Sequence, residues 1–410
     1  MDRICRICSS SKLEQFLDLG PQPWCNDFVV HEQVGLENLY PLDLYFCKDC
    51  TTVQVRQTVP KEVMYNEHLY LSGITRSMRK HFQQVSDKAV QLTGRGLVVD
   101  IGSNDGTLLS TYLKHDMNVL GIEPCSKAAK VAIGNGINTD INFFNHKCAN
   151  KIEEKKGKAK IISAANVFYH VEELHDIVKG IKNLLDDDGV FVMQGSYLPR
   201  IMEKRAFDIM YHEHLLYYRV DTLKYLLDIY NLEIFDIDEA PVHGGSIVAY
   251  ICHKGTRHIS DKIDLMIKNE ISDRYDQFDT YQKFADNIRG LRDKIRETVI
   301  GFASAGRKIF AFGAPAKGTV LLNYCGLNND HIVCAVEKNQ LKVGRYIPGT
   351  GIPICDEDTV EEPDYYLLLP WNFVDEFCES EAFVSGKRKF IVPIPEVKVL
   401  SHAKCVSSRE

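Results

Sequence analysis

The chain has 410 residues, which is enough for two or three domains that each bury a core. Its formal net charge of −7 excludes a basic field that would attract nucleic acid. We find no apolar run of membrane-spanning length and no apolar core of a secretory signal near the N-terminus. The 13 cysteines are spaced like metal ligands rather than like a secreted disulfide framework, so we expect a cytoplasmic protein.

The first feature along the chain is a module with two CxxC pairs, which we assign to residues 1–70. The pairs are Cys5 with Cys8 and Cys47 with Cys50. Each pair can offer two thiolates to one tetrahedral Zn²⁺, and four thiolates leave no position for water, which indicates a structural zinc site. A redox pair of thioredoxin type is less favoured, because neither CxxC lies between the strand and the helix of a βαβ unit. Four unrelated cysteines remain the alternative.

Residues 71–255 alternate between short apolar strands and helical stretches. This alternation predicts a doubly wound sheet, because each strand can be followed by a helix that crosses back over one face. The predicted strands are 97–101, 118–122, 160–163, 189–193 and 246–251.

The strand at 97–101 runs into a glycine-flanked turn and then a helix. Such a turn brings backbone N–H groups and a helix N-terminus against a small polar ligand, and glycine lets that ligand approach. Asp105 within the turn disfavours a pyrophosphate and tolerates a cationic ligand, and Glu123 ends the next strand, where an acid commonly binds a ribose diol. We interpret the turn as an S-adenosylmethionine site rather than a dinucleotide site. An ordinary glycine turn is the alternative. The turn consists of Gly102, Ser103, Asn104, Asp105 and Gly106.

Residues 208–218 form the densest group of titratable side chains in the chain. The group lacks the HExxH spacing of a helical zinc site. His212 and His214 could bind a metal from an extended segment, or lie in a loop or a core. The remaining interpretation is acid–base catalysis, in which Glu213 or Tyr211 orients an imidazole. A glycine-rich turn follows, and it either approaches a ligand or is a simple tight turn: His243, Gly244, Gly245 and Ser246.

The remainder of the chain predicts a helical connection and a second, smaller α/β domain. Residues 256–300 are charged and carry apolar side chains at helical spacing, which indicates a long helix or a helix pair. Residues 301–410 form the second domain. Its first strand runs into Gly313, and NAD chemistry at this turn is disfavoured, because the turn lacks the GxGxxG glycines and no strand-end acid follows clearly. The predicted strands are 308–312, 332–336, 365–369 and 389–392.

Four features occur in one order: the four-cysteine module, the GSNDG turn, a YHEH segment followed by HGGS, and a GAPAKG turn with a later PWN. Between Cys5 and about Pro395 this combination resembles the S-adenosylmethionine-dependent nucleotide-sugar C-methyltransferases, which act on 4-keto-deoxy sugars. The resemblance implies an α/β fold: a Rossmann-like methyltransferase domain between an N-terminal zinc module and a C-terminal Rossmann-like α/β domain.

The resemblance also implies roles for particular residues. The implied catalytic residues are His214, Glu213, Tyr211 and Tyr70. The implied cofactor-binding residues are those of the turn at 102–106 together with Glu123, Asn166 and His170. We expect substrate contacts from the residues of the HGGS turn at 243–246 and from Lys317, Arg345, Trp371 and Asn372.

The expected chemistry starts from the keto group, which acidifies the neighbouring C3–H of the sugar. We expect His214 to remove this proton with Glu213 tuning it, and Tyr211 to donate a hydrogen bond to the ketone oxygen as its charge develops. The resulting enolate carbon then takes the methyl group. C5 is chemically as acidic as C3.

The alternatives are an RNA methyltransferase, which the net charge disfavours, and a non-catalytic protein with a methyltransferase fold. We expect a nucleotide sugar as the small-molecule partner, no nucleic-acid or membrane partner, and a monomer.

Overall fold

The structure is a computed structural model that describes residues 4–60, 64 and 76–402. Tyr70 lies outside the described residues, and so does the side chain of His243. Within the described part, the helices are all too short or too polar to span a membrane.

The described elements are numbered in chain order. The strands are β1 (Leu13–Pro23), β2 (Leu39–Cys47), β3 (Val53–Val55), β4 (Leu97–Ile101), β5 (Asn118–Ile122), β6 (Thr139–Asp140), β7 (Ala159–Ala165), β8 (Leu185–Ser196), β9 (Leu216–Tyr217), β10 (Leu232–Ala240), β11 (Ser246–His253), β12 (Ile309–Phe312), β13 (Ala335–Glu337), β14 (Ile354–Asp356), β15 (Tyr365–Leu368), β16 (Phe390–Val392) and β17 (Lys398–Leu400). The helices are α1 (Arg76–Thr93), α2 (Thr107–Leu113), α3 (Ser126–Gly134), α4 (His146–Lys156), α5 (Leu174–Leu184), α6 (Leu198–Glu203), α7 (Val220–Asp228), α8 (Asp261–Ser272), α9 (Phe278–Ser304), α10 (Ala316–Tyr324), α11 (Val374–Cys378) and α12 (Glu381–Val384).

The N-terminal sheet has four antiparallel strands in the order β1-β2-β3-β9. Its last strand comes from much later in the chain, and Val53 pairs there with Tyr217. The YHEH segment immediately precedes β9, so this pairing anchors one end of the segment to the N-terminal sheet.

The middle sheet has seven strands in the order β10-β11-β8-β7-β4-β5-β6. The strand pairs β8–β7, β7–β4, β4–β5 and β5–β6 are parallel. Strand β11 runs antiparallel to both β8 and β10. The predicted Rossmann-like fold is confirmed, and strands lie at all five predicted positions. The sequence analysis missed β10, whose alternating acidic side chains reflect a half-exposed edge strand.

The chain crosses from β4 to β5 on one side and later returns to β7 on the other side of β4. Ligands of open α/β sheets bind outside the carboxyl ends of the strands at such a switch point. The predicted cofactor turn follows β4 and therefore lies at this position.

The C-terminal sheet has six strands in the order β14-β13-β12-β15-β16-β17, parallel except for the last pair. Its switch point lies at β12, so the GAPAKG turn after β12 and the PWN turn after β15 are neighbours. The predicted strand at 332–336 begins later, at Ala335, and ends in Glu337.

The predicted helix pair consists of α8 and α9. Buried side chains of α9, including Tyr281 and Ile288, belong to one apolar core that also contains Leu44 of β2 and Phe310 of β12. The N-terminal and C-terminal sheets therefore share a core. The metal-binding cysteines instead pack with side chains of the middle sheet and its helices.

Asp100 is a carboxylate inside β4 and is only 3% exposed. Ser163 donates a hydrogen bond to it at 2.6 Å. Burial raises the pKa of Asp100 from 3.8 to about 7, and the hydrogen bond from Ser163 opposes this rise. The folded protein therefore retains a proton that the unfolded chain releases at lower pH.

Asp100→Asn keeps an oxygen that can accept from Ser163 and removes the titration. Because the folded wild-type protein binds more protons, its free energy of unfolding falls as the pH rises from 3.8 towards about 7, by about 1.4 kcal/mol for each pH unit. We expect the variant to lack this fall. Urea unfolding of both proteins over this pH range measures it, and parallel pH profiles would contradict the prediction.

Candidate active site

The four predicted metal ligands converge. The sulfur atoms of Cys5, Cys8, Cys47 and Cys50 all lie within 4.8 Å of one another. The Cys5–Cys50 and Cys8–Cys47 sulfur pairs are each 3.5 Å apart. A tetrahedral zinc ion with Zn–S bonds of about 2.3 Å separates its sulfur ligands by about 3.8 Å, so the group fits zinc with little movement. A zinc ion bound by all four thiolates would cross-link the module and would have no open position for catalysis.

The glycine turn after β4 has the geometry of a ligand cradle. Gly102 has a φ of +67°, and a Cβ there would lie 2.4 Å from a methyl carbon of Val167. The backbone N–H of Asn104 donates to Glu123 Oε2 at 2.8 Å, which joins the turn to the carboxyl end of β5. The hydroxyl of Ser103 is buried without a hydrogen-bond partner among the described residues. These features fit S-adenosylmethionine.

Asp105 of the same turn accepts hydrogen bonds from the first residue of α2. Its Oδ1 accepts from the backbone N–H of Thr107 at 3.1 Å and from the hydroxyl of Thr107 at 2.7 Å. The carboxylate thus satisfies the start of α2, in the manner of a helix cap. Its negative charge stays beside the cradle, where it suits a cationic ligand.

The C-terminal sheet repeats this arrangement. Gly313 follows β12 with a φ of +74°. The backbone N–H of Ala314 donates to Glu337 Oε2 at 3.1 Å. The N–H groups of Lys338 and Asn339 donate to Glu337 Oε1 at 2.9 and 3.1 Å. The expectation that no clear strand-end acid follows this turn was wrong, because β13 extends to Glu337. The sequence signal for this acid was Glu337 itself, which directly follows the predicted strand at 332–336.

We name residues 207–214 the catalytic segment after the predicted catalytic residues that it contains. It begins as a 3-10 turn, Phe207–Ile209, and ends before β9. The carbonyl of Ile209 lies 2.7 Å from Nδ1 of His214. A carbonyl can only accept, so Nδ1 carries the proton and, in the neutral ring, Nε2 carries the lone pair. The segment therefore presets the tautomer in which Nε2 can act as a base.

Aromatic rings surround His214, which is 6% exposed. The Tyr211 ring lies 4.0 Å from the imidazole, and the rings of Tyr169 and His170 lie at 4.6 and 5.0 Å between centroids. The N–H of Leu215 donates to the carbonyl of Tyr169 at 2.8 Å. Because Tyr169 lies in the loop after β7, the structure brings the predicted base to the cofactor side of the middle sheet.

Asn166 begins this loop after β7, with a φ of +59°. Its backbone N–H donates to the carbonyl of Gln194 at 2.9 Å, and its side-chain oxygen lies 3.4 Å from the Tyr169 hydroxyl. The two residues predicted to face the cofactor here, Asn166 and His170, thus share one loop with Tyr169.

Tyr211 and Glu213 have different surroundings. Burial raises the pKa of Tyr211 well above its usual value, and the neighbouring Glu213 charge adds to this. Tyr211 is therefore a neutral phenol at physiological pH, suited to donate a hydrogen bond. Glu213 Oε1 accepts from Trp24 Nε1 and from Asn26 Nδ2, each at 2.7 Å. Oε1 of Glu213 therefore acts as the acceptor for two side chains of the N-terminal module.

The sequence analysis expected Glu213 or Tyr211 to orient the imidazole. In the structure, the Nδ1 partner of His214 is the backbone carbonyl of Ile209, and Glu213 reaches the N-terminal module. His212 has a different partner: its Nε2 lies 3.2 Å from the carbonyl of Tyr40, and burial lowers its pKa. Among the described residues, the four cysteines are the group that can hold a metal ion. A metal site at the two histidines is therefore not supported.

The predicted substrate residues of the C-terminal domain bind one another and the catalytic segment. Trp371 Nε1 donates to Asp208 Oδ2 at 2.7 Å. The ammonium group of Lys317 donates to Asn372 and lies 4.3 Å from the centre of the Trp371 ring. Desolvation lowers the pKa of Lys317 to about 8. Arg345 Nη1 donates to the carbonyl of Phe28 at 2.8 Å, which ties this domain to the N-terminal module.

The HGGS turn is packed as a tight turn. Gly245 has a φ of +125°, and a Cβ there would lie 2.8 Å from Cβ of Arg200 on α6. The carbonyl of Gly244 accepts from Lys204 at 2.6 Å, and the hydroxyl of Ser246 donates to the carbonyl of Val242 at 3.0 Å. Gly245 is therefore needed for the contact with α6, whereas a Cβ at Gly244 would have open space on a left-handed backbone.

The sequence analysis missed Trp24 and Asn26, which contact Glu213 across 189 and 187 residues of chain. Nothing local marks either position. The one available signal was composition, since the chain has only two tryptophans and both contact buried carboxylates of the catalytic segment.

Comparison with known proteins gives consecutive matches along the chain. A zinc binding domain model matches residues 5–65, a methyltransferase domain model matches 70–237, and a C-methyltransferase C-terminal domain model matches 241–395. The C-methyltransferase NovU of Streptomyces niveus is 32% identical over 405 residues, covering 97% of this chain and 96% of that protein.

Solved structures resemble part of the chain at low identity. The PH0226 protein of Pyrococcus horikoshii is 12% identical over 47% of this chain and 99% of its own, with a TM-score of 0.39. A magnesium protoporphyrin IX methyltransferase of Synechocystis is 13% identical over 46% and 88%, with a TM-score of 0.32.

Gly102→Ala should both destabilise the protein and weaken cofactor binding. The new Cβ would meet Val167 and would sit on a left-handed backbone, which together cost about 1–3 kcal/mol. Gly94→Ala is the matched control, since Gly94 has a φ of +74° and open space around its Cβ position. Urea unfolding and calorimetric titration with S-adenosylmethionine measure the two effects. Equal effects of the two substitutions would contradict the proposed cradle.

Cys8→Ser should remove one ligand of the metal centre and lower both the zinc content and the melting temperature. Cys25→Ser is the control, because Cys25 is buried in the same module but lies outside the four-sulfur group. Elemental analysis of the purified proteins gives the zinc stoichiometry. Full zinc retention by the Cys8 variant would show that four thiolates are not required.

Proposed function

Because the chain belongs to the C-methyltransferase family, we propose that it methylates carbon C3 of a nucleoside-diphosphate 4-keto-6-deoxy sugar through an enolate, for branched deoxysugar biosynthesis. S-Adenosylmethionine is the cofactor of the Rossmann-like domain, and zinc is the structural metal of the N-terminal module. The observation that carries the proposal is the preset tautomer of His214 between Tyr211 and the cofactor-side loop.

Carbon methylation requires a carbanion equivalent, which a ketone provides when a base removes a neighbouring proton. Nε2 of His214 is the basic nitrogen of the neutral ring, because Nδ1 donates to the carbonyl of Ile209. That carbonyl also stabilises the imidazolium that forms after proton transfer, since Nδ1–H then carries more positive charge.

The charge that develops on the ketone oxygen needs a donor. Tyr211 remains protonated because burial raises its pKa, and its ring is in contact with the base. A positioned neutral phenol supports an enolate oxygen in the way that oxyanion-hole donors do. Because Tyr211 keeps its proton, we assign it as the hydrogen-bond donor and not as the base.

The cofactor supplies an electrophilic methyl group on a sulfonium when it is bound. The acidic groups Asp105 and Glu123 lie beside its cradle, and Glu213 and His214 of the YHEH segment are buried, whereas Tyr211 is partly buried. The bound cofactor would present a cationic methyl donor to an anionic carbon, so a cleft that excludes water would favour the charge-cancelling transfer. Burial of the segment serves this requirement.

The C-terminal crevice supports a nucleotide as the carrier of the sugar. It combines a glycine turn, the strand-end Glu337 and the amines of Lys317 and Lys342 near the catalytic segment. Lys342 lies 4.5 Å from the centre of the Phe28 ring, and its pKa is lowered mainly by burial. Cations held in a crevice beside a strand-end acid suit a diphosphate joined to a pentose.

Methyl transfer can be tested directly with labelled S-adenosylmethionine and a panel of dTDP- and GDP-4-keto-6-deoxyhexoses. We expect one acceptor to gain one methylene mass by mass spectrometry, and NMR of the product to place the new carbon at C3. A product methylated at C5 would correct the position. Absence of transfer to every acceptor, with the cofactor bound, would exclude this sugar class.

His214→Gln should slow both methyl transfer and the exchange of the C3 proton with deuterated solvent by about 10⁴-fold, the upper end of the range of about 10²–10⁴-fold for loss of a general base. Tyr211→Phe should slow both reactions by about 10²-fold without abolishing exchange, because it removes a donor to the enolate oxygen and leaves the base. Proton NMR follows the exchange without the cofactor. Unchanged exchange in the His214 variant would exclude His214 as the base.

A further inference from the structure

Both tryptophans of the chain donate their indole N–H to a carboxylate of the catalytic segment. Trp24 lies in the N-terminal module and Trp371 lies after β15 of the C-terminal sheet, and each is at most 7% exposed. Each N–H to carboxylate distance is 2.7 Å. The two partners, Glu213 and Asp208, lie near opposite ends of the segment. The segment is therefore hydrogen-bonded to the N-terminal module at one end and to the C-terminal domain at the other.

On the N-terminal side, Glu213 is 2% exposed and shares one oxygen between Trp24 and Asn26. The loop that carries these donors is itself fixed to the C-terminal domain, because the carbonyl of Cys25 accepts from the hydroxyl of Thr319 at 3.0 Å. The carboxylate next to His214 in sequence is thus held by a loop that is itself hydrogen-bonded to the C-terminal domain.

On the C-terminal side, Asp208 is fully buried and its Oδ2 accepts from Trp371. The next residue, Ile209, supplies the carbonyl that binds His214 Nδ1. The turn also packs on α10, where the rings of Phe207 and Tyr324 lie 5.3 Å apart. A displacement of Asp208 would therefore move the carbonyl that sets the tautomer of His214.

We propose that Trp24 and Trp371 are positioning residues, which hold the catalytic segment from two domains so that His214 keeps one tautomer and one orientation. The proposal rests on the proposed function, because the residues they position are those of the proposed reaction. Neither indole has to contact the substrate. Loss of either indole should therefore lower kcat while KM changes little.

Trp24→Phe and Trp371→Phe remove the N–H donor and keep an aromatic ring. We expect kcat to fall about 10- to 100-fold in each, the factor expected for loss of a hydrogen bond to a charged group, with KM within about twofold of wild type. Tyr230→Phe is the matched control, because it removes a 2.7 Å hydrogen bond to His175, and both residues lie outside the segment. A kcat equal to that of the control, in folded variants, would overturn the proposal.

The same variants provide a spectroscopic test that needs no turnover, since each retains a single indole. In Trp371→Phe, a further Glu213→Gln substitution should change the emission of Trp24, whereas Asp208→Asn should not. In Trp24→Phe, the pattern should be reversed for Trp371. An indole that is insensitive to its own carboxylate, or equally sensitive to both, would overturn the pairing.

The two readouts separate the possible failures. If the wild-type protein transfers no methyl group to the sugar panel, the proposed function fails, and the emission pattern still tests the two contacts. If Trp24→Phe does not fold, Asn26→Ser removes the other donor to Glu213 and leaves the indole buried. A wild-type kcat in that variant would overturn the role of the N-terminal loop.

Discussion

The structure depends on the burial of four titratable side chains within seven consecutive residues, one of which is His212. Asp208, Glu213 and His214 are 0%, 2% and 6% exposed. Buried polar and charged groups are tolerated only when hydrogen bonds replace water. The partners come from the C-terminal domain for Asp208, from the N-terminal module for Glu213 and from the segment itself for His214. All parts of the chain are therefore needed to complete one short segment.

This constraint explains the arrangement of the sheets. The N-terminal sheet takes its last strand from the residues that follow the catalytic segment, and it shares an apolar core with the C-terminal sheet. The metal-binding cysteines pack with the middle sheet instead. A zinc module that lies between two α/β sheets can hold a loop against the segment without contributing a reacting group, and cross-linking by the metal keeps that loop in place.

The two α/β sheets present equivalent crevices. In each, a glycine with positive φ follows the first strand of the switch point, and a glutamate from the neighbouring strand accepts backbone N–H groups: Glu123 in the middle sheet and Glu337 in the C-terminal sheet. The loop after β7 and the turn after β15 both reach the catalytic segment. The proposed two-substrate reaction fits this arrangement, since each crevice would hold one ligand and the proposed base lies in the segment that both contact.

The sequence by itself determined the elements whose signals are local. The CxxC pairs, the strands that alternate with helices and the glycine turn at 102–106 predicted the metal centre, the Rossmann-like sheet and the position of its crevice, because coordination, periodicity and positive φ each leave a pattern in neighbouring residues. Tertiary structure alone decided which groups meet. The indole of Trp24 reaches Glu213 across 189 residues, and the Nδ1 partner of His214 is a backbone carbonyl, which any residue type at position 209 would supply. Contacts between distant residues, or with the backbone, leave no such pattern.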